Sequence, residues 1–128
     1  MDELPEEVGQ LIENERHVAH LGTVHGNRPH VAPLWYRYDG QVIEIATTGR
    51  KLNNLRENSK VALSIQSSEN GMPDWRVTVL GSAQVIDDDA ESKAGRARIH
   101  EKYGIDPEAF LENVFVKIAI GSVCHKTF

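Results

Sequence analysis

The chain has 128 residues, of which 40% are hydrophobic, and its 14 basic and 19 acidic side chains give a formal charge of −5. That is enough chain for one domain over residues 1–128, burying roughly two-thirds of its unfolded surface with no disulfide or metal required for folding. An acidic body is not drawn to nucleic-acid backbones, and no apolar run nears the roughly 20 residues that span a bilayer.

The opening MDELPEEVGQ is acidic where a signal peptide is basic, and the single Cys124 cannot close an intrachain disulfide. The expectation is a cytoplasmic protein with no membrane or nucleic-acid partner. Cys124 itself reads as a buried or half-buried packing residue of a terminal strand.

Leu4 to Glu15 has Pro5, Glu6 and Glu7 early and Leu4, Val8, Leu11 and Ile12 on one side, the pattern of a short amphipathic helix that lies as a lid on the sheet. Val18 to Val24 alternates as a first strand, and His25-Gly26-Asn27-Arg28 turns into a second. His17 and His20 point to opposite faces at that spacing, and none of the six histidines joins a recognised ligand set, so no structural metal is expected.

His30 to Arg37 reads as one strand, turned by Asp39-Gly40 into the return strand Val42 to Thr47. Both faces of His30 to Arg37 are largely apolar, which suits core on one side and a partner or ligand on the other. Pro33 cannot donate to a ladder, so it marks a free edge or bulge where a flat ligand reaches backbone groups.

The return strand runs into Thr47-Thr48-Gly49-Arg50-Lys51, and the Leu52/Leu55 spacing behind it predicts one or two helical turns. Two hydroxyls, a glycine and two cations at a helix start can hold a phosphate. The alternative stands beside it: Thr48 caps the helix while Arg50 and Lys51 lie in solvent.

Lys60 to Gln66 is a fourth strand, Ser67 to Pro73 a polar loop, and Asp74 to Ile86 a long fifth strand with a bend or bulge at Gly81. Asp88 with Glu91 opens a helix through Lys102 that Gly104 ends, Asp106-Pro107 turns, and Val114 to Cys124 is a sixth strand. The fold expected is mainly β with α+β character: a six-stranded antiparallel split β-barrel with short flanking helices.

The stretches LGTVHGNRPHVAPLWYRYDGQVIEIATTGRKLNNLRENSKVALSI and WRVTVLGSAQVIDD, in that order of elements, resemble the pyridoxamine 5′-phosphate oxidase-like, FMN-binding split-barrel family. The resemblance implies a homodimer with FMN in clefts between the subunits. It places the flavin ring along Val31, Ala32, Pro33 and Leu34, and the phosphate at Ala46, Thr47, Thr48, Arg50 and Lys51. Arg76 would reach the flavin from the other subunit. The oxidase itself has an arginine and a lysine where Val31 and Tyr36 stand, and a longer segment after the last strand than His125-Lys126-Thr127-Phe128, so pyridoxamine phosphate oxidation is not the expected reaction.

The expectation is an FMN-dependent oxidoreductase acting on a small substrate, in which the flavin carries the redox chemistry and no residue is assigned a catalytic role. His30 and Tyr36 are candidate polar contacts in the cleft. Two alternatives share the fold: a reductase using the deazaflavin F420, and a non-catalytic flavin- or haem-binding protein.

Overall fold

Trp35 and Tyr36 carry the chain from one edge of a seven-stranded antiparallel sheet to the other. The computed structural model describes residues 4–128; of the acidic opening, residues 1–3 lie outside the described residues. Elements follow as α1 (Glu6–Glu13), β1 (Ala19–His25), β2 (Arg28–Leu34), β3 (Arg37–Tyr38), β4 (Val42–Thr47), α2 (Gly49–Glu57), β5 (Lys60–Glu69), β6 (Met72–Val85), α3 (Asp89–Tyr103) and β7 (Val114–Thr127).

The sheet order is β2-β1-β5-β6-β7-β4-β3. Consecutive strands β2 and β3 therefore lie at opposite edges, yet the three Cα steps from Leu34 to Arg37 span at most about 11 Å. The sheet has to roll up until its edges nearly meet, and it stays split at that seam. His30 to Arg37 is thus not one strand. Its first part pairs with β1, with His20 opposite Pro33, and its last residue pairs with β4, with Arg37 opposite Glu44. The count rises from the expected six strands to seven through the two-residue β3, whose turn is built by Asp39: its carboxylate accepts from the backbone N–H of Gln41 and Val42 at 2.8 Å each.

Inside the roll, the alternate residues Ala19 and Leu21 (β1), Ile43 and Ile45 (β4), Leu63 and Ile65 (β5), Val77 and Val79 (β6), and Val116 and Ile118 (β7) form the core. Leu4, just before α1, and Val8 and Ile12 of α1 complete it, as the amphipathic pattern predicts. Tyr36 anchors this lid by donating from its hydroxyl to the Ile12 carbonyl at 2.7 Å, and it is fully buried. That corrects its reading as a cleft contact.

The expected polar loop from Ser67 to Pro73 is also replaced by strand. β5 and β6 continue to a two-residue turn in which Asn70 (φ 53°) and Gly71 (φ 82°) both adopt the left-handed backbone that favours this pair. The register shift at Leu80/Gly81 confirms the bulge: a Cβ on Gly81 would lie 2.3 Å from the Ala119 carbonyl oxygen. Asp88 caps α3 through the Glu91 N–H at 2.9 Å, and Gly104 closes it at φ 68°. Cys124, against expectation, is exposed: it pairs with Thr78, which alternates with the inward Val77 and Val79, and so stands on the outer side of the sheet. No helix among the described residues is long and apolar enough to cross a membrane.

Two helices flank the seam. α3 covers β4 and β7 through a second cluster of Ile86, Ile99, Tyr103 and Phe115. Its approach requires Gly95, where a Cβ would meet the Phe115 ring at 2.5 Å. Behind it the buried Glu44 carboxylate is held by Arg37 at 2.8 Å and Arg98 at 3.1 Å. α2 is tied to β1 by Asn54 donating to the Thr23 hydroxyl at 3.0 Å, and to the segment before α3 by the two-pronged Arg56–Asp87 pair.

Candidate functional site

Where the sheet fails to close, a pocket of about 380 Å³ opens between the end of β2, the β4–α2 junction and α3. Its size suits one small ring system. Pro33, Leu34 and Trp35 form one wall, Ala46, Thr47, Thr48 and Lys51 the second, and Ile99, His100, Phe110 and Asn113 the third, with Val18 beside them.

The second wall has the chemistry of an anion cradle. Thr48 stands at the N-cap of α2 but makes no side-chain cap hydrogen bond, so the amides of the first turn keep unfilled donors at the positive end of the helix. Thr48 thus holds the cap position without making the cap bond, and Arg50 beyond it is exposed, as the alternative reading had it. Thr47 is 2% exposed, and its buried hydroxyl has no partner. Lys51, half-buried on the first turn, brings the cation.

The third wall is aromatic. Trp35 stacks on Tyr103 at 5.5 Å and meets the edges of His100 at 6.2 Å and Phe110 at 5.8 Å. Tyr103 holds this arrangement because its hydroxyl donates to the His17 carbonyl and accepts from the Tyr36 N–H; burial pushes its phenol up to about 12, so it stays a neutral donor. His100 is 1% exposed and its Nδ1 lacks a partner. Phe110 adopts φ 54° and stays 48% exposed at the rim, an unfavourable backbone for a bulky residue. Arg96 fixes the segment behind it by donating to the Asn113 carbonyl at 3.0 Å.

Of the residues singled out in the sequence, the pocket gathers Pro33, Leu34, Ala46, Thr47, Thr48 and Lys51. Ala32 is half-buried on the same strand without lining the pocket, and Val31, 68% exposed, lines a shallow apolar hollow with Gly22, Val24 and Ala62. Arg50 points into a separate cleft beyond α2. Arg76 is exposed on β6 with its guanidinium 5.8 Å from the Phe128 ring, away from this pocket in the same chain. His100, Phe110 and Asn113 were missed. The apolar Phe110-Leu111 pair in an otherwise polar turn segment was the available signal; His100 gave none, because it lies on a helix whose buried side also carries Ser92, Gly95 and Arg96. Among the described residues no group of three or more His, Cys, Asp or Glu could hold a metal ion.

The fold recurs among solved structures. An F420 reductase is 24% identical, with a TM-score of 0.78 over 94% of this chain and 98% of that one. A FAD-binding protein from Mesorhizobium loti is 22% identical, with a TM-score of 0.72 over 95% and 94%. The conserved protein Rv2991 from Mycobacterium tuberculosis is 20% identical, with a TM-score of 0.80 over 98% and 87%. No curated protein matches the chain. The family model described as pyridoxamine 5′-phosphate oxidase matches residues 4–123. The chain therefore belongs to the pyridoxamine 5′-phosphate oxidase family.

Proposed function

We propose that the pocket at the seam binds FMN and that the protein is a flavin-dependent oxidoreductase acting on a small substrate. The observation that carries this is the pairing of an uncapped α2 start with the unpartnered Thr47 hydroxyl, beside an aromatic wall of ring dimensions. Thr47, Thr48, Lys51 and the first amides of α2 would hold the phosphate, and Pro33, Leu34, Trp35 and Phe110 would exclude water from the ring. Bound flavin supplies hydride or electron transfer. The chain's own residues orient the ring and offer the His100 imidazole as a polar contact.

β2 is an edge strand, and Pro29 and Pro33 fill positions whose N–H would otherwise point outward, so this edge is kept clear of a further strand while its carbonyls stay available. A homodimer suits this edge, with Arg76 of a second copy reaching the flavin. A cytoplasmic location fits such an enzyme.

A second reading, F420 in place of FMN, is favoured by the F420 reductase among the structures that share the fold. Titrating the stripped protein with FMN and with F420 tests both: saturable FMN binding near one per chain supports the first, preference for F420 the second, and binding of neither removes both.

A further inference from the structure

A cavity of about 400 Å³ opens beside the first two turns of α3 and has Asn113 in common with the pocket at the seam. One face of the helix lines it, because Asp89, Lys93 and Arg96 recur at the spacing that brings side chains into one row. Arg96 is 7% exposed, yet among the described residues no carboxylate lies within ion-pair distance of it. Its Nη1 donates to the Asn113 carbonyl at 3.0 Å, and its buried Nε has no partner. A guanidinium cannot shed its proton, so a buried one is costly to keep without a counter-charge. The carboxylates nearby are already engaged: Asp87 pairs with Arg56, Asp88 caps the helix and Glu91 pairs with Lys117.

We infer that this cavity is a binding site for a monocarboxylic acid with a short apolar tail, its carboxylate set against the Arg96 guanidinium. Lys93, one turn before Arg96 on the same face, adds an exposed cation at the rim, and the positive end of α3 acts in the same sense. Ile86, Leu111 and Val114 offer the tail apolar contact, and Leu111 is 58% exposed until something covers it. Asp89 and Glu112 set the limit on charge. Both are exposed in the same lining, so they leave room for one negative charge and repel a phosphate dianion. The site does not depend on what the seam pocket holds.

The test titrates the full chain with acetate, butyrate, butylamine and phosphate, reading the backbone amide NMR shifts of Ser92, Lys93, Arg96 and Asn113. The butyrate arm is repeated on Lys93→Ala and Arg96→Gln, with melting curves to show that each variant folds. Butyrate is expected to saturate these shifts, binding about fivefold or more tighter than acetate because its further methylenes leave water, and tighter than phosphate, with butylamine inert. Lys93→Ala weakens butyrate by about twofold to fivefold, and Arg96→Gln by about tenfold or more. The inference is overturned if butyrate leaves these amides unmoved, if acetate or phosphate binds as tightly, or if both variants hold butyrate as the wild type does. Arg96 also holds the Asn113 carbonyl, so if Arg96→Gln does not fold, Lys93→Ala and the ratio of butyrate to acetate affinity decide.

Discussion

Thr47 and His100 reach the same pocket from β4 and from α3, and each buries a polar atom that has no partner within the protein. An unsatisfied buried hydroxyl costs about 1–3 kcal/mol, which a ligand bonding to it recovers. Thr47→Val removes that cost, so the free protein holds or gains stability in urea while FMN affinity falls about fivefold or more. A variant that loses both together would assign Thr47 a purely structural role.

Lys51 supplies the pocket's cation from the first turn of α2. Lys51→Ala lowers FMN affinity by about tenfold, and the wild-type affinity falls with added salt more steeply than that of the variant. Arg50→Ala has a smaller effect on FMN, because Arg50 lines the neighbouring cleft. Titrations at two ionic strengths separate the two side chains.

Gly95 lies inside α3, where alanine ordinarily stabilises by about 1 kcal/mol. Here its methyl would lie 2.5 Å from the Phe115 ring, so Gly95→Ala destabilises the protein, by about 1–3 kcal/mol. Denaturant midpoints decide the sign.

Glu44 is 2% exposed between Arg37 and Arg98. Glu44→Gln leaves those two half-exposed cations without their counter-charge and costs about 1–3 kcal/mol, since solvent reaches both arginines. Urea unfolding reads the loss, and a change within a few tenths of a kcal/mol would show that solvent already compensates both arginines.

Lys102 places its ammonium 3.9 Å from the Tyr36 ring centre, and burial, with the nearby Arg37, lowers its value from 10.5 to about 8. The unfolded chain holds this proton up to about 10.5, whereas the folded one begins to release it near 8. Between those values the unfolded state binds more protons, so stability rises with pH. Tyr103, pushed up from 10.0 to about 12, and Tyr36, raised further by burial, act in the opposite sense. Above pH 10 the unfolded chain loses its phenolic protons first and stability falls. Urea midpoints against pH are therefore expected to climb from 8 towards 10 and then decline, and Lys102→Met abolishes the climb alone.

Where one physical signal governed, the sequence was legible. The α1 stripe, the Asp88 cap, the Gly81 bulge and the helix that starts behind Thr48 each depend on local chemistry, and each stands as read. What was hidden depends on closure. Alternation continues unbroken across Trp35 and Tyr36, and nothing local says that the partner strand changes there from β1 to β4. Asn70-Gly71 was readable as a tight turn but was overshadowed by Pro73, which the outward side of the β5–β6 ladder tolerates. The aromatic wall escaped notice because α3 buries a mostly polar side, and only the rolled sheet shows that His100 and Phe110 complete a pocket begun by Pro33 and Thr47.

The most direct test of the account is flavin stoichiometry: the stripped chain titrated with FMN, followed by fluorescence quenching, beside Thr47→Val and Lys51→Ala. Saturation near one FMN per chain, weakened in both variants, is the predicted result. Absence of binding by FMN and F420 alike, or binding that neither substitution alters, would contradict the assignment of this pocket.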